Sequence, residues 1–257
     1  MKEDKELYDF FSKGEKQFQP GLSIDSVIFG FSDNQLKVLL NKLKRMELWA
    51  LAGGFVLKNE HLDDAAIRIL RERTGLSNIF LNQFYVFGDP NRSDKKFHIK
   101  RMQHVGWPVT KDYWLLQRFI TIGYYALVNY SNVEAKRDYM SDVCDWYDIH
   151  DLPPMIIDHG KILNKALEVL RTQLKYQPIG YNLLPQKFTM PELQKLYETI
   201  LDTKLDRRNF QRKMLGYGIL KRLQKRREGG AHKAPYLYSF DLKKYHKALR
   251  EGLHGAW

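Results

Sequence analysis

One stretch of the chain carries residues whose types and spacing are typical of metal-assisted chemistry on phosphates. In residues 53–76, GGFVLKNEHLDDAAIRILRERTGL, two glycines precede Glu60, and Arg68 and Glu72 follow on a segment with helical periodicity. Positions 69, 72 and 73 are spaced i, i+3 and i+4, so their side chains share one face of a helix. Three carboxylates on such a face gather Mg²⁺, a hard cation that prefers oxygen ligands and bridges to a diphosphate.

This chain has only one of the three acids. Ile69 and Arg73 stand beside Glu72, so the formal charge of the face is 0 instead of −3. Arg73 would place a fixed cation beside the metal. We therefore expect very low magnesium affinity, no catalytic residue, no metal site and no cofactor. An alternative is an ordinary surface helix, in which Arg68 pairs with Asp64, Glu72 or Glu60.

The elements that position this stretch follow from residue patterns. Residues 22–31 and 36–40 are predicted as two strands joined by a turn at Asp33-Asn34. Asp63 and Asp64 suit the first turn of a helix, and Gly75 suits its end. The same patterns predict further strands over residues 79–87, 120–128 and 145–149, and further helices over residues 3–12 and 158–174.

The pattern changes after a linker. A helix over residues 190–201 is predicted, with Thr189 as its N-cap and Glu192 placed for a capping box. A second helix over residues 206–220 precedes two strands at 221–224 and 236–240. Helix, turn, helix and hairpin in this order predict a winged helix-turn-helix. The predicted organisation is a helical extension (1–20), an effector-binding domain (21–176), a linker (177–186) and a DNA-binding domain (187–250).

Charge supports a polyanion partner for the last region. From Pro185 to the C-terminus there are 17 Lys and Arg against 7 Asp and Glu, a net charge of +10 out of +12 for all 257 residues. Such a basic region on a nearly neutral body is typical of nucleic-acid binding. The chain has no long apolar run and a single cysteine, Cys144, which together favour a soluble cytoplasmic protein with no membrane partner.

The second helix of the basic region has one apolar and one basic face. Phe210 and Met214 are predicted to point to the core, and the opposite face suits a DNA major groove, where Arg pairs with guanine and Asn or Gln with adenine. The alternative is a solvated charged face. The candidate DNA contacts are Arg207, Arg208, Asn209, Gln211, Arg212 and Lys213 on the helix, and Arg226, Arg227, His232 and Lys233 in the loop between the strands.

Two resemblances follow from these motifs. Residues 54–76 resemble the Nudix box of the Nudix hydrolase superfamily, with matches at Gly54, Glu60, Arg68, Leu70, Glu72, Gly75 and Leu76. The combination with a basic winged helix resembles the Nudix-related transcriptional regulators, the NrtR-like family, from about residue 20 to residue 245. The stretches specific to that group are residues 178–185 (PIGYNLLP), 188–197 (FTMPELQKLY) and 206–210 (DRRNF).

The resemblance implies an α/β fold, a Nudix-type α/β/α sandwich with a mixed sheet followed by the winged helix-turn-helix domain. It also implies a homodimeric regulator that binds a palindromic double-stranded DNA operator and senses a metabolite, either ADP-ribose or a pentose such as L-arabinose. Residues 94–119 depart from the family pattern, and they either line the ligand pocket or elaborate the surface.

The effector contacts are expected on the old active-site face, in the loop after residue 87 and on the strand at 120–128. These candidates are Glu60, Arg68, Glu72, Asp89, Asn91, Arg92 and Tyr124. Two other functions stay open. One is an active Nudix hydrolase of ADP-ribose-like diphosphates, and the other is RNA binding by the basic region.

Overall fold

The computed structural model describes residues 2–76, 81–92, 94–109, 113–133, 135–178, 181–225 and 235–253. Backbone contacts divide the chain into two compact units, the first made of Met1–Gly30, Lys37–Leu127 and Asn132–Ala166, and the second of Phe31–Leu36, Val128–Ser131 and Leu167–Trp257. The domain boundaries predicted at residues 20, 176 and 186 stay predictions.

The helices and strands alternate through the first unit and continue through the second. In chain order they are α1 (Lys2–Gln17), β1 (Phe18–Ser32), β2 (Gln35–Leu43), β3 (Trp49–Ala50), β4 (Ala52–Leu57), α2 (Leu62–Thr74), β5 (Asn82–Phe87), α3 (Lys95–His104), β6 (Ile120–Val128), β7 (Ser141–Asp148), α4 (His159–Gln173), β8 (Phe188–Thr189), α5 (Met190–Leu201), α6 (Arg207–Gly216), β9 (Leu220–Lys225), β10 (Tyr236–Phe240) and α7 (Leu242–Glu251).

A seven-stranded sheet forms the frame of the first unit. Its main path is β3-β2-β1-β6-β5, with β4 paired to β1 and β7 paired to β2. The predicted hairpin between β1 and β2 is confirmed, and its turn residues Asp33 and Asn34 both have positive φ angles, as a two-residue hairpin turn requires. In the antiparallel pairing of β1 with β4, Asp25 lies opposite Gly53 and Ile24 opposite Gly54.

The N-terminal helix is longer than the predicted helix over residues 3–12. It continues through Gly14 to Gln17, although glycine weakens a helix. Position 14 has to be glycine because a side chain there would collide with the ring of Trp114. Phe10 and Phe11 of α1 pack with Met102 of α3, Trp114 and Phe119 in one buried aromatic cluster. Residues 94–119, for which the sequence predicted no element, thus contain α3 and share a core with α1.

The second unit has the predicted layout of helix, turn, helix and hairpin. α5 begins with the predicted capping box, since Thr189 accepts from the Glu192 backbone N–H (3.3 Å) and Glu192 accepts from that of Thr189 (2.6 Å). A three-stranded sheet, β8-β10-β9, packs against α5. Two differences from the sequence predictions are that α6 ends at Gly216, since Gly218 turns the chain with a φ of 65°, and that α7 follows the hairpin.

The described helices include none that is long and apolar enough to cross a membrane.

The capping box gives a test of the second unit. Replacing Thr189 with alanine removes an acceptor for a free N–H at the start of α5, and we expect it to lower the free energy of unfolding by about 1 kcal/mol. Urea denaturation measures the change, with Thr203→Ala as the control, because Thr203 is exposed and lies beyond the end of α5. Equal losses in the two variants would contradict a specific capping role.

Candidate functional site

The inner face of α2, where a metal would be held, is built into the core. Ile69 is 1 % exposed and packs with Ile24, Val56, Ile122 and Tyr124. A side chain at position 54 would lie 2.9 Å from the Cγ1 atom of Ile69, so Gly54 makes room for the isoleucine. The residue that replaces the first acid of the motif therefore supplies packing between α2 and β4.

Arg73, which stands in place of the last acid of the motif, is also fixed by contacts within the protein. The guanidinium of Arg73 is paired with the buried carboxylate of Asp138, and its Nε atom donates to the Gly53 carbonyl at 2.8 Å. A buried guanidinium is costly unless it is paired and hydrogen-bonded, and here it is both. Arg73 thus links α2 to β4 and to the segment before β7.

Glu60, Arg68 and Glu72 form a network on the outer part of the helix. The Nε and Nη2 atoms of Arg68 both lie 2.7 Å from the Glu60 carboxylate, and its Nη1 atom lies 3.1 Å from Glu72. The hydrogen bonds from Arg68 hold the pKa of Glu60 below its usual value, so this carboxylate stays ionised. The network also reaches the Phe55 carbonyl, at 2.9 Å, and ties α2 to β4.

Magnesium, the ion that the Nudix motif implies, does not fit these residues. Glu60 is occupied by Arg68, Ile69 offers no oxygen, and Arg73 adds a positive charge beside Glu72. Across the described parts of the chain, no three His, Cys, Asp or Glu side chains converge as metal ligands would. No catalytic step through a metal is derived for this site.

A cavity of about 110 Å³ lies in the first unit, between the sheet and an added segment, residues 94–119. Its apolar wall includes Phe10, Phe55 and Phe119. Its polar wall draws on side chains from many separate parts of the chain, namely Ser23, Asp25, Asn41, Arg73, Arg92, His98, Arg101, Thr121, Ser141 and His159. Aromatic faces combined with a few convergent polar groups are typical of a small-molecule site.

Asp25 and His159 form one end of the polar wall. The Nδ1 atom of His159 accepts from the Leu51 backbone N–H at 2.9 Å, and burial lowers the histidine pKa, so a neutral ring carries its proton on Nε2. That Nε2 lies 3.7 Å from Asp25 Oδ1, beyond direct hydrogen-bond length. A hydroxyl placed between them would bond to both groups.

Arg92 stands next to this pair and is fixed by α4. Its Nε and Nη2 atoms bond the two oxygens of Asp158 at 2.9 and 3.0 Å, and its Nη1 atom bonds the Phe119 carbonyl at 3.2 Å. The second charge near Arg92 is Asp25, whose Oδ2 atom lies 3.9 Å away. The bidentate pair of Arg92 with Asp158 connects the cavity wall to the start of α4.

Two residues of α3 complete the polar wall from the added segment. Burial, with the nearby charge of Arg101, lowers the pKa of His98 to about 4, so its ring is neutral at pH 7. Burial, with the nearby charge of Arg73, lowers the pKa of Arg101 to about 10, so its guanidinium stays charged. Residues 94–119 therefore line the cavity through His98, Arg101 and Phe119.

The residues predicted to contact an effector are not brought together in one place. Of the seven, Arg92 lines the cavity, whereas Glu60, Arg68 and Glu72 belong to the outer network. Asp89 and Asn91 form an exposed turn, and the Tyr124 hydroxyl donates to Asp63 at 2.8 Å from within the core. Their role as effector contacts stays a prediction.

The polar residues of the cavity that the sequence reasoning missed had one usable signal. Asp25 and Asn41 are polar residues within the buried runs of β1 and β2, where an unpaired polar group is costly. His159 and the α3 residues gave no comparable signal, because they enter the cavity through tertiary packing.

The α6 face predicted to contact DNA is exposed, and its contacts with DNA stay a prediction. Phe210 and Met214 are buried as expected, and the six polar candidates from Arg207 to Lys213 are exposed. Asp206 caps the helix through the Asn209 backbone N–H at 2.8 Å, and Asn209 in turn accepts from Arg212 at 3.2 Å. The loop candidates Arg226, Arg227, His232 and Lys233 lie outside the described residues.

The described strands of the hairpin carry further cations. The Arg222 guanidinium lies 3.4 Å from the centre of the exposed Tyr236 ring, and the Lys225 amine lies 5.3 Å from it. Stacking on an aromatic face orders a guanidinium while it stays available to solvent.

Comparisons with known proteins agree with this geometry. Residues 23–166 match the NUDIX domain family, and residues 180–240 match the NrtR DNA-binding winged helix domain. The chain is 28 % identical over 233 residues to the ADPR responsive transcriptional repressor NtrR of Acinetobacter baylyi, which covers 88 % of this chain and 84 % of that protein. An ADP-ribose pyrophosphatase of Methanocaldococcus jannaschii is 26 % identical over 147 residues, 56 % of this chain and 71 % of that enzyme.

Among solved structures, Shewanella oneidensis NrtR complexed with a 27mer DNA is similar to this chain with a TM-score of 0.67 and 26 % identity. The match covers 88 % of this chain and 95 % of that one. These matches confirm the predicted α/β fold class with a C-terminal winged helix domain. The chain belongs to the Nudix family, in the group of NrtR-like regulators that join a Nudix domain to a winged helix domain for DNA binding.

Proposed function

We propose that this protein is a transcriptional regulator whose Nudix domain binds a small metabolite without hydrolysing it. The observation that carries the proposal is that two positions of the Nudix helix have structural contacts: Ile69 is buried in the core and Arg73 is paired with Asp138. A face built in this way supports packing and cannot gather a divalent cation. The basic α6 and the winged helix family match support DNA as the partner.

The cavity supports a compact effector that carries hydroxyl groups. Its neutral His159, its Asp25 carboxylate and its aromatic wall suit a sugar, and a pentose is one candidate. ADP-ribose is the second candidate, because the similar repressor of Acinetobacter baylyi is named for its response to that compound.

A route for the response is proposed through α4. This helix begins at the cavity with His159, and its residues from Leu167 onward belong to the second unit. In a homodimer, two recognition helices have to reach half-sites about 34 Å apart on a palindromic operator. An effector that prefers one arrangement of the dimer shifts the population and thereby the affinity for DNA.

The DNA-binding surface is tested by replacing Arg208 with alanine. We propose a base contact for its exposed guanidinium, so we expect the free energy of operator binding to weaken by about 1–3 kcal/mol. Fluorescence anisotropy measures it on duplexes selected by the protein from a random pool. Lys161→Ala is the control, since Lys161 is exposed at the start of α4. If both variants bind as tightly as the unchanged protein, α6 is not the reading helix.

The absence of hydrolysis is tested with ADP-ribose and Mg²⁺. We expect AMP and ribose 5-phosphate to form no faster than in buffer, whereas a working enzyme turns over about 10 times per second. Chromatography of the products over hours gives the sensitivity required. Magnesium-dependent turnover that disappears in a Glu72→Gln variant would show the rival function, an active Nudix hydrolase.

A further inference from the structure

The cavity contains polar groups that the described protein leaves without partners. Asn41 is 3 % exposed, lines the cavity, and has neither its amide nitrogen nor its carbonyl oxygen hydrogen-bonded within the described residues. A buried amide left in this state costs free energy that a bound ligand would recover. Asn41 lies on β2, opposite Ala50 and Cys144, so it is held by the sheet.

Arg101 is the second such group. Its guanidinium lines the same cavity, and no hydrogen bond or ion pair reaches it from the described parts of the chain. The two other arginines of the wall each have a carboxylate of their own, Asp138 for Arg73 and Asp158 for Arg92. Asp138 attracts Arg101 without forming an ion pair with it, and that carboxylate is already paired with Arg73, so two guanidinium groups share one carboxylate.

The carboxylate that remains in the wall is arranged differently. The Oδ1 atom of Asp25 lies 3.7 Å from His159 Nε2, and its Oδ2 atom lies 3.9 Å from Arg92 Nη2. Both of these neighbours are hydrogen-bond donors. The environment of Asp25 suits a ligand hydroxyl that donates to the carboxylate while it accepts from His159 or Arg92. The cavity thus offers a hydroxyl-binding set around Asp25 and a cation, Arg101, that has no ion pair of its own within the described residues and shares the charge of Asp138 with Arg73.

We propose that the effector is a hydroxylated compound that carries an anionic oxygen group, a carboxylate or a phosphate, and that Arg101 and Asn41 bind this group. The proposal rests on the proposed function and narrows its effector to a sugar acid or a sugar phosphate. The guanidinium supplies paired donors that match such an anion, and the amide of Asn41 supplies a further donor. The Asp25 end of the cavity binds the hydroxyl groups.

Thermal unfolding in the presence of single compounds tests the proposal, because a ligand of the folded state raises Tm by mass action. The probes are L-arabinose, L-arabinonate, ribose 5-phosphate, ADP-ribose and inorganic phosphate. We expect L-arabinonate or ribose 5-phosphate to raise Tm and L-arabinose to leave it unchanged, and the responding compound tells whether the anion is a carboxylate or a phosphate. The proposal is overturned if only the neutral sugar acts or if neither anionic sugar does.

Two variants separate ligand binding from structural support. Arg101→Met keeps a long unbranched side chain and removes its charge, and Asn41→Leu keeps the branched shape and removes the amide. Because neither group has a hydrogen bond or ion pair within the described residues, and Arg101 is desolvated beside Arg73, we expect each unliganded variant to melt no lower than the unchanged protein, while the Tm shift with the anionic sugar is lost. Arg71→Met, on the exposed side of α2, should keep the full shift. A lower Tm for both variants without ligand, or an unchanged shift in Arg101→Met, contradicts the assignment.

Operator binding with the same compounds distinguishes this proposal from the proposed function. An anionic sugar that raises Tm but leaves operator affinity unchanged supports the effector chemistry and removes the regulatory role. L-arabinose or ADP-ribose could change operator affinity equally in the unchanged protein and in Arg101→Met. That result supports the regulatory function and overturns the proposal that Arg101 binds an anionic group of the effector.

Discussion

The buried ion pair between Arg73 and Asp138 determines what the Nudix helix can do. A guanidinium that also bonds the Gly53 carbonyl fixes α2 against β4, and its removal from water requires the carboxylate to stay beside it. Ile69 fills the neighbouring space above Gly54. The helix matches the Nudix motif at Arg68, Glu72 and Gly75, while Ile69 packs in the core and Arg73 is paired with Asp138. The outer acids, Glu60 and Glu72, are both paired with Arg68.

Polar groups with hydrogen-bond partners and polar groups without them therefore lie in different parts of this molecule. Around α2 the charges of Glu60, Arg68, Glu72 and Arg73 all have partners, which is the arrangement expected of a structural element. In the cavity, Asn41 and Arg101 have no hydrogen bond from the described chain, and Asp25 keeps oxygens available at a distance from its neighbours. Buried polar groups that remain open cost stability, and those of this cavity support the proposed binding site.

Much of the fold was accessible from the sequence because its signals are local. The capping box of α5, the turn at Asp33-Asn34, the end of α2 at Gly75 and the strand at 120–128 each depend on residues close in the chain. The cavity was not accessible in the same way, since Asp25, Asn41, Arg101 and His159 come from β1, β2, α3 and α4. Periodicity shows which face of an element is buried, and it does not show which elements meet. The segment 94–119 became interpretable only through its shared core with α1.

The central claim is that the Nudix helix of this protein no longer binds a divalent cation. Titration of the protein with Mn²⁺, followed by the electron paramagnetic resonance signal of the free ion, tests it most directly, because Mn²⁺ accepts the same oxygen ligands as Mg²⁺. The account predicts that the free-ion signal rises in proportion to the added metal, with no saturable site at α2. One saturable site that disappears when Glu72 is replaced by glutamine would contradict it.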